Sequence, residues 1–265
     1  MSLTEQCTFR LVHCCKSNTS RQYLGPNLFT IYINDLPDVI ENMVKLFAND
    51  TKVYATVNNT DERDSLQSDI DRLMNWSDTW LLKFSKSKCK HTHLGPETGT
   101  SYSMLDDTID LSNEEKDRGI TIDSKLNFQQ HINIQVKKAN KKLGIINRTF
   151  NYMDKEIFLV LYKSLVRPHL EYGSVVWSVI NKKKRQYNVL IENVQRRATR
   201  LVKEIQHLSY GDRLRNLGLP TLQYRRIRAD LVETCKIINK VDCTNIFPIR
   251  KTNTRGHKHK IFKKH

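Results

Sequence analysis

Apolar and polar positions divide the chain into segments of different period. Residues 1–23 show no clear period and read as a loose leader. From Leu24, LGPNLFTIYINDLP opens on a Gly-Pro turn signal and closes at Pro37, and its apolar stretch suits either a buried helix or a buried strand. In VKLFANDTKVYATV, residues 44–57, two β-prone arms flank the polar step Asn49-Asp50-Thr51, which predicts a hairpin. Residues 61–82 place Leu66, Ile70, Leu73, Ser77 and Trp80 on one helical face. Thr60 is the expected N-cap, and Asp61 and Glu62 favour the first turn through the helix dipole. Short strands and turns follow through KFSKSKCKHTHLG and EEKDRGITID.

The second half reads as helical almost throughout. Phe158, Leu161, Tyr162, Leu165 and Val166 form a stripe expected to stop before Pro168. Leu190, Val194, Ala198, Leu201, Val202 and Ile205 form a second stripe, and Ile227, Leu231, Cys235 and Ile238 a third. Trp76, Trp80 and Trp177 lie on or near apolar stripes and are assigned to core packing. The last stretch, RKTNTRGHKHKIFKKH, is basic and poor in apolar residues, so disorder is expected. Its His257, His259 and His265 need no metal-binding role. The expected fold class is thus α+β, with a leader at 1–23, a mixed part at 24–125, a basic helical part at 126–245 and a tail at 246–265.

Composition narrows the class. With 265 residues and 38% hydrophobic content the chain can bury a core and is too apolar for disorder throughout. Its apolar runs are far shorter than a membrane span, and its first residues lack a secretory signal, so an intracellular protein, cytoplasmic or nuclear, without membrane partners is expected. Charge is uneven. Residues 1–130 hold 14 basic and 19 acidic side chains, and residues 131–265 hold 30 and 9. A strongly basic half points to a polyanion, RNA or DNA. The six cysteines show no CxxC pair and read as reduced structural thiols.

Two sets of residues could carry chemistry. Carboxylates held together in a tight hairpin suit Mg²⁺, but here the turn offers only Asp50 beside neutral Asn49, and a lone Asp in a turn is ordinarily a turn residue. On the helices, Arg196, Arg200 and Lys203 recur at i, i+4, i+7, with Lys182, Lys183, Lys184 and Arg185 upstream and Arg225, Arg226 and Arg228 downstream. Only Glu192 and Glu204 balance residues 181–206. A solvated face would interleave both signs, so contact with phosphates is expected.

Several blocks occurring in one order carry a resemblance: LGPNLFTIYINDLP, KLFANDTKVY, WSDTWLLKFSKSKCKHTHLG, EEKDRGITIDSKLNFQQHI, KKANKKLGIINRTF, LYKSLVRPHLEYGSVVWS, VQRRATRLV and LRNLGLPTLQYRRIRADLVETCKIIN. Residues 24–239 resemble the C-terminal part of the reverse transcriptase of jockey-like non-LTR retrotransposons, an RNA-directed DNA polymerase with fingers, palm and thumb. The resemblance implies an incomplete palm of antiparallel strands and helices, followed by a mainly helical, basic, thumb-like region. It sets residues 24–35 in the palm motif that contacts template and nucleotide. Residues 47–50 match the catalytic hairpin, Lys88 the lysine associated with nucleotide phosphates, and residues 116–123 the primer grip.

The chain departs from the family at the catalytic positions. The first Asp of the hairpin pair is Asn49, no early palm Asp is found in residues 1–23, the Pro-Gln-Gly-Ser lead-in is replaced by Ser20-Arg21-Gln22-Tyr23, and Arg118 replaces a Leu of the grip. The family uses Mg²⁺ in two-metal phosphoryl transfer. With Asp50 a vestige, no productive metal and no small-molecule cofactor are expected. The resemblance implies a truncated, inactive polymerase domain that still holds RNA or DNA. Its rivals are a stand-alone binding protein, an inert remnant of an element, and a polymerase complemented in trans by an N-terminal fragment.

Overall fold

The computed structural model of the chain describes residues 6–12, 24–95, 99–105, 107–178, 184–239, 249–250 and 260–261. It divides into two compact units between Leu126 and Asn127. Among the described residues no helix is long and apolar enough to cross a membrane.

The first unit runs through strand β1 (Gln6–Val12), helix α1 (Leu24–Tyr32), strands β2 (Met43–Phe47) and β3 (Asp50–Thr56), helix α2 (Thr60–Thr79) and strand β4 (Lys90–Leu94). The two-residue strands β5 (Ser103–Met104), β6 (Asp107–Thr108) and β7 (Asp110–Leu111) follow, then a hairpin of β8 (Glu114–Asp117) and β9 (Ile120–Asp123). The main sheet has the order β2-β3-β1-β4-β7, antiparallel except where β7 joins β4. The loose-leader expectation therefore fails for Gln6–Val12, which lies at the sheet's centre with ladders to β3 and β4. Its sequence, QCTFRLV, does alternate Cys7, Phe9 and Leu11 with Gln6, Thr8 and Arg10. What makes it a strand is the two unpaired edges it joins, far along the sequence.

Local chemistry sets the other elements. The undecided stretch after Leu24 is a helix, and Pro26 falls in its first turn, where a missing N–H costs nothing. The expected hairpin forms with Phe47 opposite Asp50, so Ala48 and Asn49 make its turn and Asp50 opens β3. The N-cap of α2 is Asn59, one residue before the expected Thr60. Its side chain accepts from Glu62 N at 2.8 Å, and Glu62 Oε2 accepts from Asn58 N at 2.6 Å, a reciprocal cap. Val53, Ala55 and Val57 pack with Leu66, Ile70, Leu73 and Trp76 in one core. Asp69, fully buried, accepts from Glu41 N (3.0 Å), Asn42 N (2.9 Å) and Asn42 Nδ2 (2.8 Å), which fixes the chain entering β2.

The second unit holds α3 (Gln129–Thr149), α4 (Lys155–Leu161), α5 (Arg167–Glu171), α6 (Ser174–Trp177), α7 (Lys184–Ala198), α8 (Tyr210–Leu217) and α9 (Leu222–Ile238). Pro168 does not end the preceding helix as expected. A π turn at Tyr162–Val166, in which Arg167 N donates to Tyr162 O, joins α4 to α5 and accommodates the proline. The second stripe is buried at Val194, Ala198, Val202 and Ile205, but the α-helix ends at Ala198 and gives way to 3₁₀ turns at Thr199–Leu201 and Lys203–Ile205. The third stripe is reversed. Leu222 and Arg226 are the buried positions of α9, whereas Ile227, Leu231 and Cys235 are exposed. The expected disorder of the tail falls on residues outside those described, except that β10 (Ile249–Arg250) pairs antiparallel with β11 (Lys260–Ile261).

Candidate functional site

Asp50 opens strand β3 of the hairpin in the first unit. Register places Phe47 of β2 and Val12 of β1 directly opposite it. Two residues along, Lys45, Lys52, Arg10 and Lys90 stand opposite one another across four strands. Strand β8 supplies their counter-charges: Asp117 pairs with the buried Lys52, and Glu115 approaches Lys90 at 3.8 Å. The turn of this hairpin, Arg118-Gly119, has φ of 44° and 84°. A two-residue turn of this kind needs such angles, and glycine meets them without strain. It carries the Arg118 guanidinium to 4.2 Å from the Phe47 ring centroid. Lys88 is exposed in a 3₁₀ turn, Lys86–Lys88, ahead of β4.

In the second unit the predicted cations separate. Lys182 and Lys183 lie outside the described residues, and Lys184 and Arg185 open α7. Arg196 is exposed on α7, with its guanidinium 4.8 Å from the Tyr210 ring centroid. Arg200 and Lys203 are exposed in the successive 3₁₀ turns, so the expected i, i+4, i+7 stripe is broken after Arg196. Arg225 is committed to Glu171 through two hydrogen bonds, Nε to Oε1 and Nη2 to Oε2, the second at 3.1 Å. Arg226 is buried against Trp177 and donates to Asn188 Oδ1 at 2.7 Å. Burial lowers its pKa, and Glu192, Glu171 and Asp230 oppose that shift. Arg228 is exposed and shares a groove along α9 with Tyr224, Val232 and Lys236.

The same packing raises the positive field elsewhere on this unit. His169 of α5 has its pKa lowered by burial and then by Lys138 and Lys142 of α3. Gln195 ties three segments together, accepting from Tyr162 Oη at 2.6 Å and donating to Pro220 O at 3.0 Å, and burial pushes the Tyr162 hydroxyl pKa well up.

Known proteins add a direction. Over 219 residues, 76% of its length, the chain is 25% identical to a probable RNA-directed DNA polymerase from transposon BS of Drosophila melanogaster. It is related to a transposon polymerase. It spans 24% of that relative, and in a 30% identical match over 122 residues it spans 60% of an uncharacterized protein of Caenorhabditis elegans. No protein-family profile matches the chain, and no solved structure does.

Mg²⁺, the metal of RNA-directed DNA polymerases, takes several oxygen ligands, preferably carboxylates. Among the described residues no three His, Cys, Asp or Glu side chains come together as a metal-binding group. Asp117, which pairs with Lys52 of β3, is neutralised by it. The donor set at Asp50 does not fit the ion. Sequence reasoning missed Asp117 as the partner of Lys52, and Tyr210 and Arg213 as neighbours of Arg196, because each meets its partner only through the fold.

Proposed function

We propose that this chain corresponds to the C-terminal part of a jockey-like non-LTR reverse transcriptase, with a partial palm in its first unit and a thumb-like region in its second. In this reading it does not polymerise, and it holds RNA or DNA through the basic helical unit. The order of the sequence blocks and the similarity to a transposon polymerase support the origin. One observation carries the inactivity: Asp50 stands next to Asn49 and beside a row of cations, where two-metal chemistry needs converging carboxylates.

Purified protein is expected to show no primer extension on RNA with Mg²⁺ or Mn²⁺, and to retard duplex and single-stranded probes with an affinity that falls steeply with salt. Template-dependent extension above a denatured control overturns the first half. Absence of retardation at low salt, from a sample with a cooperative unfolding transition, overturns the second. That second result favours an inert remnant, a reading that the exposed Leu28, Ile31 and Leu81 support, since apolar side chains on the surface suit a protein that has lost its partners.

A further inference from the structure

Among the described residues of the second unit, one buried cation has no acid that neutralises it. Arg213 is 3% exposed, and its guanidinium is held by neutral acceptors: Nε donates to Thr199 Oγ1 at 3.0 Å, Nη1 to Leu208 O at 2.6 Å and Nη2 to Arg196 O at 3.4 Å. Its ring contact is Tyr210, whose centroid lies 5.8 Å away and which also lies under Arg196. Burial lowers the Arg213 pKa first, and Arg200 and Arg196 lower it further. Neighbouring carboxylates are committed elsewhere. Glu192 accepts from the Tyr210 hydroxyl and from Leu222 N at 3.2 Å, and Asp212 is held by Ser209 Oγ at 2.5 Å and Arg215 at 3.3 Å. Among the described residues, none of Arg196, Arg200 and Arg213 forms a salt bridge.

We propose that Arg196 and Arg213, both over the Tyr210 ring, together with Arg200, whose charge acts on Arg213, form a preorganised site for a phosphodiester of a nucleic-acid backbone; the proposal rests on the nucleic-acid reading above. A buried guanidinium without a counter-charge is costly to keep, and an external anion supplies that counter-charge. Arg213 contributes field from within, fixed by its three bonds. The exposed Arg196 and Arg200 present planar donor forks, which match phosphate oxygens. Nothing in the cluster selects a base, so the contact is sequence-tolerant.

The test uses the full chain and spares Arg213, whose loss would cut the bonds that join α8 to the 3₁₀ turns. Arg196→Ala with Arg200→Ala keeps those bonds, because Arg196 contributes only its carbonyl to them. A matched pair, Lys137→Ala with Lys141→Ala, removes two exposed charges from α3. Fluorescence anisotropy with a labelled single-stranded RNA and an RNA–DNA duplex, over a salt series, is expected to show binding about tenfold weaker for the arginine pair. The slope of log K against log salt should fall by about 1–2. The lysine pair should lose less than about threefold. Equal losses in the two pairs, or none in the arginine pair, overturn the site while leaving nucleic-acid binding intact. Thermal unfolding with inorganic pyrophosphate is the second arm. If pyrophosphate stabilises the parent but not the arginine pair while neither RNA nor duplex binds, the anion site stands and the nucleic-acid partner is overturned.

Discussion

Asn49 concentrates the argument at the scale of single residues. Its amide oxygen is a neutral ligand, and a carboxylate there would join a hairpin whose Lys45–Lys52 pair lies two register steps beyond Phe47–Asp50. Asn49→Asp is therefore expected to give no measurable incorporation of labelled nucleotide on a primed RNA template, with signal equal to the parent and to Asp50→Ala. Histidine gives a pH-dependent prediction. His91 is 2% exposed and packs edge-on against His93 and Tyr102, and its pKa is lowered by burial and then by His93. The unfolded chain thus binds a proton at higher pH than the folded one. The stability this neutral side chain contributes is present above the ordinary histidine value of about 6.5 and is lost as pH falls below it. Urea midpoints should drop between about pH 7 and about pH 5, and the drop should shrink in His91→Phe.

Elements show which parts of the fold can be read locally. The β2–β3 hairpin and α2 were legible because turn residues, cap residues and period coincide within a few positions; the errors there, a turn read at Asn49-Asp50-Thr51 where Ala48 and Asn49 form it, and Thr60 read for Asn59 as the cap, are small shifts. Strand β1 was not, because its two partners lie about forty residues or more further on and polar side chains fill three of its seven positions. Thr8→Pro tests that strand. Proline cannot donate to either ladder, and a carbonyl left without its partner costs about 1–3 kcal/mol, so the unfolding free energy extrapolated from urea titration should fall by that amount while the helical signal of the second unit persists. Stripe periodicity located α9 but not which side it buries, since Arg226 reaches the interior by stacking on Trp177 and bonding Asn188. Among the candidate site residues, Asp50 and Arg196 were legible as types in a pattern. The counter-charges that decide their behaviour, Asp117 beside Lys52 and, among the described residues, no acid at Arg213, belong to tertiary structure.

On the scale of the whole molecule, charge and architecture divide at almost the same place, near residue 127. The second unit keeps its own ties, including Tyr187 Oη to Asn127 O at 3.1 Å and Gln195 to both Tyr162 and Pro220. A fragment of residues 127–265 is expected to unfold cooperatively by circular dichroism and to retain most of the salt-sensitive RNA affinity of the full chain, while residues 1–126 alone bind weakly. The central place of β1 bears on how the first unit is made. Leu94, the partner of Gln6, is added nearly ninety residues after it, roughly ten seconds later at ordinary elongation rates. Until then β1 is the open edge of a sheet that ends at it, and a chaperone or another growing chain has time to pair there.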